Sequence, residues 1–152
     1  MANFSDILNK SADTIERPRP MPVGTYACVV QGLPEYAIRN TKNGDSQTVA
    51  YKIKPLIPQP DVDQSQLAEF GGVGAAPVQT LTFWLGTNDD EIDKNFYRVK
   101  DFVEHCGMPV TGVTRKQMLE SVANAQVGIV VKHRPAPDGS AVYTEIARTL
   151  KL

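Results

Sequence analysis

Residues 79–92 read QTLTFWLGTNDDEI, and the fold turns on this stretch. As far as Gly86 the side chains alternate. Leu81, Phe83 and Leu85 point one way, and Thr80, Thr82 and Trp84 the other, as in a half-buried strand. Past Gly86 the apolar period lengthens from two residues to about 3.6. Thr87 or Asn88 caps a helix whose first turn carries Asp89, Asp90 and Glu91, which suit the positive end of the helix dipole. Ile92, Phe96, Val99, Val103 and Cys106 follow at helical spacing, and Gly107 with Pro109 stops the helix.

Downstream, Thr114 and Gln117 have the spacing of a capping box, so a second helix with Met118, Leu119 and Val122 on its apolar side is expected. A strand at Val127–Lys132, a turn at Pro135–Gly139 and a last strand from Val142 to about Leu150 complete the chain. Upstream, a strand from Tyr26 to Leu33 and one at Val49–Lys54 flank a turn at Arg39–Asp45 and should form a long hairpin. The stretch 55–79 is rich in proline and glycine and reads as a long loop. Residues 1–22, with three prolines between positions 18 and 22, read as an N-terminal arm, leaving 23–152 as one domain. The order β-β-β-α-α-β-β fits a mainly β protein: a five-stranded OB-type Greek-key barrel with a helical insertion between strands 3 and 4.

The chain has 152 residues, 41% hydrophobic and 22% charged, enough for a core without disulfide staples. Its formal net charge of −1 argues against coating duplex DNA by bulk positive charge, but leaves room for a local groove that holds single strands. No apolar run approaches the roughly 20 residues of a membrane span, and Met1–Ser11 lacks the pattern of a secretory signal. Action in a cytoplasm, a nucleus or an assembled particle is expected, with Cys28 and Cys106 as free buried thiols.

The functional candidates are dispersed. Trp84 on the wet face of its strand suits base stacking, unless the arm or the long loop covers it. Lys52 and Lys54 lie on the polar side of the second strand, Arg39 and Lys42 in the hairpin loop, and Lys132, Arg134 and Tyr143 around the last turn. Tyr36 and Tyr51 are further stacking candidates, although alternation makes Tyr51 a core residue. The acids at 89–93 are explained by the helix dipole. His105 and Cys106 point about 100° apart on a helix and cannot share a metal. The glycines at 71–74 lack the lysine and serine or threonine of a phosphate loop. No catalytic constellation, metal site or cofactor is expected, so the chain reads as a binding protein and not an enzyme.

With those residues in view, the sequence resembles phage-encoded single-stranded-DNA-binding proteins of replication and recombination modules. The likeness rests on Pro22-Val23-Gly24-Thr25-Tyr26 leading into a strand, the polar hairpin, the aromatic pair Phe83-Trp84, the helix Asp90–Cys106 with its Gly107-Met108-Pro109 exit, and the closing strands Val127–Lys132 and Tyr143–Arg148. It spans roughly residues 20–150. The resemblance implies an OB-type barrel in the host cytoplasm that binds single strands with little sequence preference. Homo-oligomers and phage replication or recombination proteins are further partners in keeping with it. The basic end Arg148–Leu152 departs from the acidic tail that cellular single-strand binders use for recruitment. The competing expectation is a structural virion or assembly protein that grips its neighbours with the arm and the long loop.

Overall fold

The computed structural model describes residues 4–14 and 19–152. A short helix α1 (Phe4–Leu8) and a 3-10 turn (Ala12–Thr14) precede the sheet. The strands are β1 (Gly24–Val30), β2 (Glu35–Thr41), β3 (Gly44–Pro58), β4 (Gln79–Gly86), β5 (Gln126–Pro135) and β6 (Val142–Leu150). Helix α2 (Gln64–Phe70) lies between β3 and β4, and α3 (Asp89–His105) and α4 (Arg115–Glu120) lie between β4 and β5. The protein is mainly β, with one antiparallel sheet of six strands.

The long strand β3 organises the sheet. Its first half pairs with β2 and its second half with β1, while β4 pairs along its middle. Beyond β1 the ladder continues through β5 to β6. The Gln31 N–H donates to the Lys52 carbonyl at 2.8 Å, so β1 and β2 follow one another along the same edge of β3. Between Gln31 and Glu35 three residues stand against the single Tyr51 of β3, and Gly32 takes a positive φ of 75° there. This break makes six strands where five were expected. The expected Arg39–Asp45 turn is also shorter, because Glu35–Thr41 runs as strand into Lys42-Asn43. That strand escaped the apolar pattern because neither of its faces is buried.

The long loop expected at 55–79 is corrected as well. β3 continues to Pro58, and α2 then forms with Asp63 capping through the Gln66 N–H and Gly71 ending it in the left-handed region. Val62, Leu67 and Ala76 of this insertion are buried in the core. Gly24 sits at φ 142°, and a Cβ there would lie 2.6 Å from Val62 Cγ2, so the close approach requires glycine. The neighbouring Asp61 carboxylate accepts from the Thr25 N–H at 3.0 Å and from Thr25 Oγ1 at 2.8 Å. These two bonds hold its carboxyl below the ordinary aspartate range.

The helices after β4 follow the sequence closely. Asn88 caps α3 through the Glu91 N–H, Gly107 follows it at φ 78°, and Thr114 with Gln117 forms the capping box of α4. Val99, Phe102 and Val103 of α3 are buried. Phe102 meets Tyr51 and Phe83 at ring-centroid distances of 4.9 and 5.6 Å, and the Tyr51 hydroxyl donates to the Leu119 carbonyl at 2.8 Å. One aromatic cluster thus ties β3, β4, α3 and the end of α4 together.

The sheet is open. Among the described residues, β4 pairs only with β3 and β6 only with β5. Helix α3 packs against both, and His105 Nδ1 lies 2.8 Å from Thr149 Oγ1 of β6. From the arm, Met21 is buried, its N–H donating to Thr144 Oγ1 at 3.1 Å and its carbonyl accepting from His133 Nε2 at 2.7 Å. Of the proline strap, Arg17 and Pro18 lie outside the described residues. No helix among the described residues is long and apolar enough to cross a membrane.

Candidate nucleic-acid interface

Alternation along β3 and β4 sorts their side chains into two faces. Val49, Tyr51 and Ile53 are buried, with Leu81 and Phe83 opposite them packed against the core. Trp84, Thr82 and Thr80 stand on the other face, opposite Thr48, Ala50 and Lys52. The β2 pairing adds Arg39, Ala37 and Glu35 to that face, opposite Ser46, Thr48 and Ala50. Trp84 is 48% exposed, so neither the described part of the arm nor the insertion covers its indole. Phe83 beside it goes inward, so this aromatic pair divides between core and surface.

Polar contacts fix the platform around the indole. Lys52 Nζ donates to Thr80 Oγ1 at 3.0 Å, holding the ammonium over the outer face of β4. Thr48, opposite Trp84, is buried and donates through Oγ1 to the Ala37 carbonyl at 3.2 Å. Arg39 and Lys42 are exposed along the hairpin. The platform therefore offers a flat aromatic surface, two threonine hydroxyls and the cations of Lys52 and Arg39, with Glu35 on the same face and Lys42 in the adjoining turn. A stacked base and a phosphate are the chemistry it could take.

The remaining expected residues lie elsewhere. Lys54 Nζ donates to the Ala76 carbonyl at 3.0 Å and helps to seat the insertion on β3. Tyr51 is fully buried, and burial raises its phenol well above the ordinary value, so it cannot stack a ligand. Lys132, Arg134 and Tyr143 are exposed where β5 and β6 run on past Gly24 of β1, the opposite end of the ladder from the Lys42-Asn43 turn. There Arg134 is opposite Tyr143, and both line a pocket of about 240 Å³. Lys132 is opposite Glu145. The eight expected residues thus form one platform, one separate end group and one lysine engaged within the fold.

A groove of about 310 Å³ between β4 and β6 was not expected. Leu81, Phe83, Phe102 and Ile146 line it, together with Arg98 and Arg148. Nothing local in the sequence signals it, because it exists only where two distant strands meet the side of α3. Cys28 and Cys106 are free and buried, and burial pushes both thiols up to about 12. Among the described residues no group of three or more histidine, cysteine, aspartate or glutamate side chains could hold a metal ion. No family model matches the sequence, and a search of curated proteins finds no match.

Proposed function

We propose that the protein binds single-stranded DNA with little sequence preference, as part of phage DNA replication or recombination, and that it is not an enzyme. The observation that carries this reading is the half-exposed Trp84 set among Thr80, Thr82 and Lys52 on the outer face of β3 and β4. An indole is costly to leave in water, and a base stacked on it contributes about 1–3 kcal/mol. Arg39, Lys42 and Lys52 supply local positive charge on a chain whose net charge is −1. That balance suits a short single-strand path better than duplex wrapping.

An OB-type barrel is the architecture that goes with this function. Taking β1 and β2 as one bent strand, the order β4, β3, β1/β2, β5, β6 with helices between β4 and β5 supports it. In that barrel the β3–β4 face is the binding face, and the β2–β3 and β5–β6 turns flank it. Lys132, Arg134 and Tyr143 would then extend the path beyond the Trp84 platform. The assembly reading draws on a different observation: Phe4, Ile7 and Leu8 of α1 are all exposed, an apolar stretch free for a neighbour.

Binding of fluorescently labelled single and double strands across a salt series separates the two. Single-strand DNA binding predicts a clear preference for oligo-dT over duplex, with log affinity falling by about 0.7 per phosphate neutralised for each decade of salt. Large assemblies with no affinity for either strand would support the structural role and overturn this proposal.

A further inference from the structure

Among the described residues, β4, β6 and β2 each pair on one side only, and the first two are packed by α3. The third, β2, pairs only with β3. The Lys52 carbonyl faces Gln31, and the Ala37 carbonyl receives Thr48 Oγ1, so odd-numbered residues of β2 turn their peptide groups toward β3. The peptide groups of Tyr36, Ile38 and Asn40 therefore point away from the sheet. The ladder to β3 runs from Glu35 to Thr41 without a register shift, and this segment contains no proline and no lysine. Bulges, prolines and lysines are among the devices that blunt an edge, and the two charges this edge does carry, Glu35 and Arg39, are opposite in sign. Tyr36 and Ile38 are 54% and 62% exposed.

We propose that β2 pairs antiparallel with β2 of a second copy, about a two-fold axis at Ala37. The register follows from charge and shape. With the axis at Ala37, Glu35 lies opposite Arg39 of the second copy and Tyr36 opposite Ile38 of the second copy, and the symmetry makes each pair twice. Tyr36 and Ile38 then exchange main-chain hydrogen bonds with their opposites, and Ala37 meets its own equivalent at a non-hydrogen-bonded position. The other in-phase registers are poorer. An axis at Ile38 places Tyr36 against Asn40 and leaves Glu35 and Arg39 unmatched. An axis at Arg39 brings two guanidinium groups together. An axis at Tyr36 sets Ile38 against Pro34, which has no N–H. The paired protein would carry β4, β3 and β2 of both copies as one sheet, with both Trp84 residues on one face. This pairing goes beyond the DNA-binding reading and stands or falls separately, because its test contains no DNA.

Sedimentation of the DNA-free protein over a concentration series tests it. A monomer–dimer equilibrium is expected. Glu35→Arg or Arg39→Glu alone places like charges opposite each other twice and should weaken dimerisation about tenfold. An equimolar mixture of these two variants should associate again, since each repels itself and complements the other; a folding defect would not be rescued in this way. Ala37→Cys should form an interchain disulfide on mild oxidation and Ile38→Cys should not, with buried Cys28 and Cys106 as silent background. Wild-type protein that stays monomeric at about 100 μM, well above the micromolar range of weak interfaces, with no Ala37→Cys cross-link, overturns the pairing. So does association to which the charge reversals make no difference.

Discussion

The two faces of the β3–β4 pair share one backbone and differ in almost every other respect. On the inner face Tyr51, Phe83 and Phe102 pack ring against ring, and the one hydroxyl among them is satisfied by the Leu119 carbonyl. On the outer face Trp84 has threonines and a lysine for neighbours and keeps nearly half its surface in water. A large aromatic side chain is stabilising where packing surrounds it and becomes a binding resource where packing stops. The difference is set by strand parity, so adjacent residues such as Phe83 and Trp84 take opposite roles.

The contrast can be broken from the inside first. Phe102→Ala should cost about 3–5 kcal/mol of stability, measured by denaturant unfolding, because it empties the centre of the aromatic cluster. A loss under about 1 kcal/mol would mean that the inner face is not the core. The next largest effect should come from Gly24→Val. It combines a strained positive φ with a clash against Val62, and should cost about 1–3 kcal/mol by the same measurement. An unchanged midpoint would show that the insertion is not seated on β1.

On the outer face the expected effects fall on binding. Trp84→Ala should weaken oligo-dT binding by about 1–3 kcal/mol while changing stability by no more than about 0.5 kcal/mol. Lys52→Gln should lower the salt slope by about 0.7 without altering the fold. Loss of stability with affinity retained would reverse the assignment of the two faces.

The smallest effect concerns Asp61. Its carboxyl is held below the ordinary aspartate value of 3.8 by the Thr25 hydrogen bonds. A depressed folded-state value gives stability that is present above 3.8 and is lost as pH falls through the lowered value. The thermal midpoint should therefore drop with acidification in that range, and Asp61→Asn should flatten the drop. An identical acid profile in the variant would show that the Asp61–Thr25 bonds contribute nothing to acid stability.

How legible these features were depends on whether their signal is local. The change of period at Gly86, the Asn88 cap, the Gly107 stop and the Thr114–Gln117 box are all contained within a few residues, and each is found where the sequence places it. β2 was missed because a ribbon with both faces in water has no apolar alternation. The insertion was missed because Val62, Leu67 and Ala76 are spread among prolines and glycines, and their burial depends on β1 and β3 approaching from elsewhere in the chain. The platform was readable as a set of outward positions. That Lys54 is engaged with Ala76, and that Lys132, Arg134 and Tyr143 lie at the far end of the ladder, depends on tertiary contacts that no spacing encodes.

Trp84 is the only tryptophan in the chain, so its fluorescence reports on the outer face alone. Titration with oligo-dT at low salt shows whether bases stack on the indole. Saturable quenching of the emission, reversed by added salt, is the predicted result. Emission unchanged at low salt, with no complex detected by labelled oligonucleotide, would contradict it.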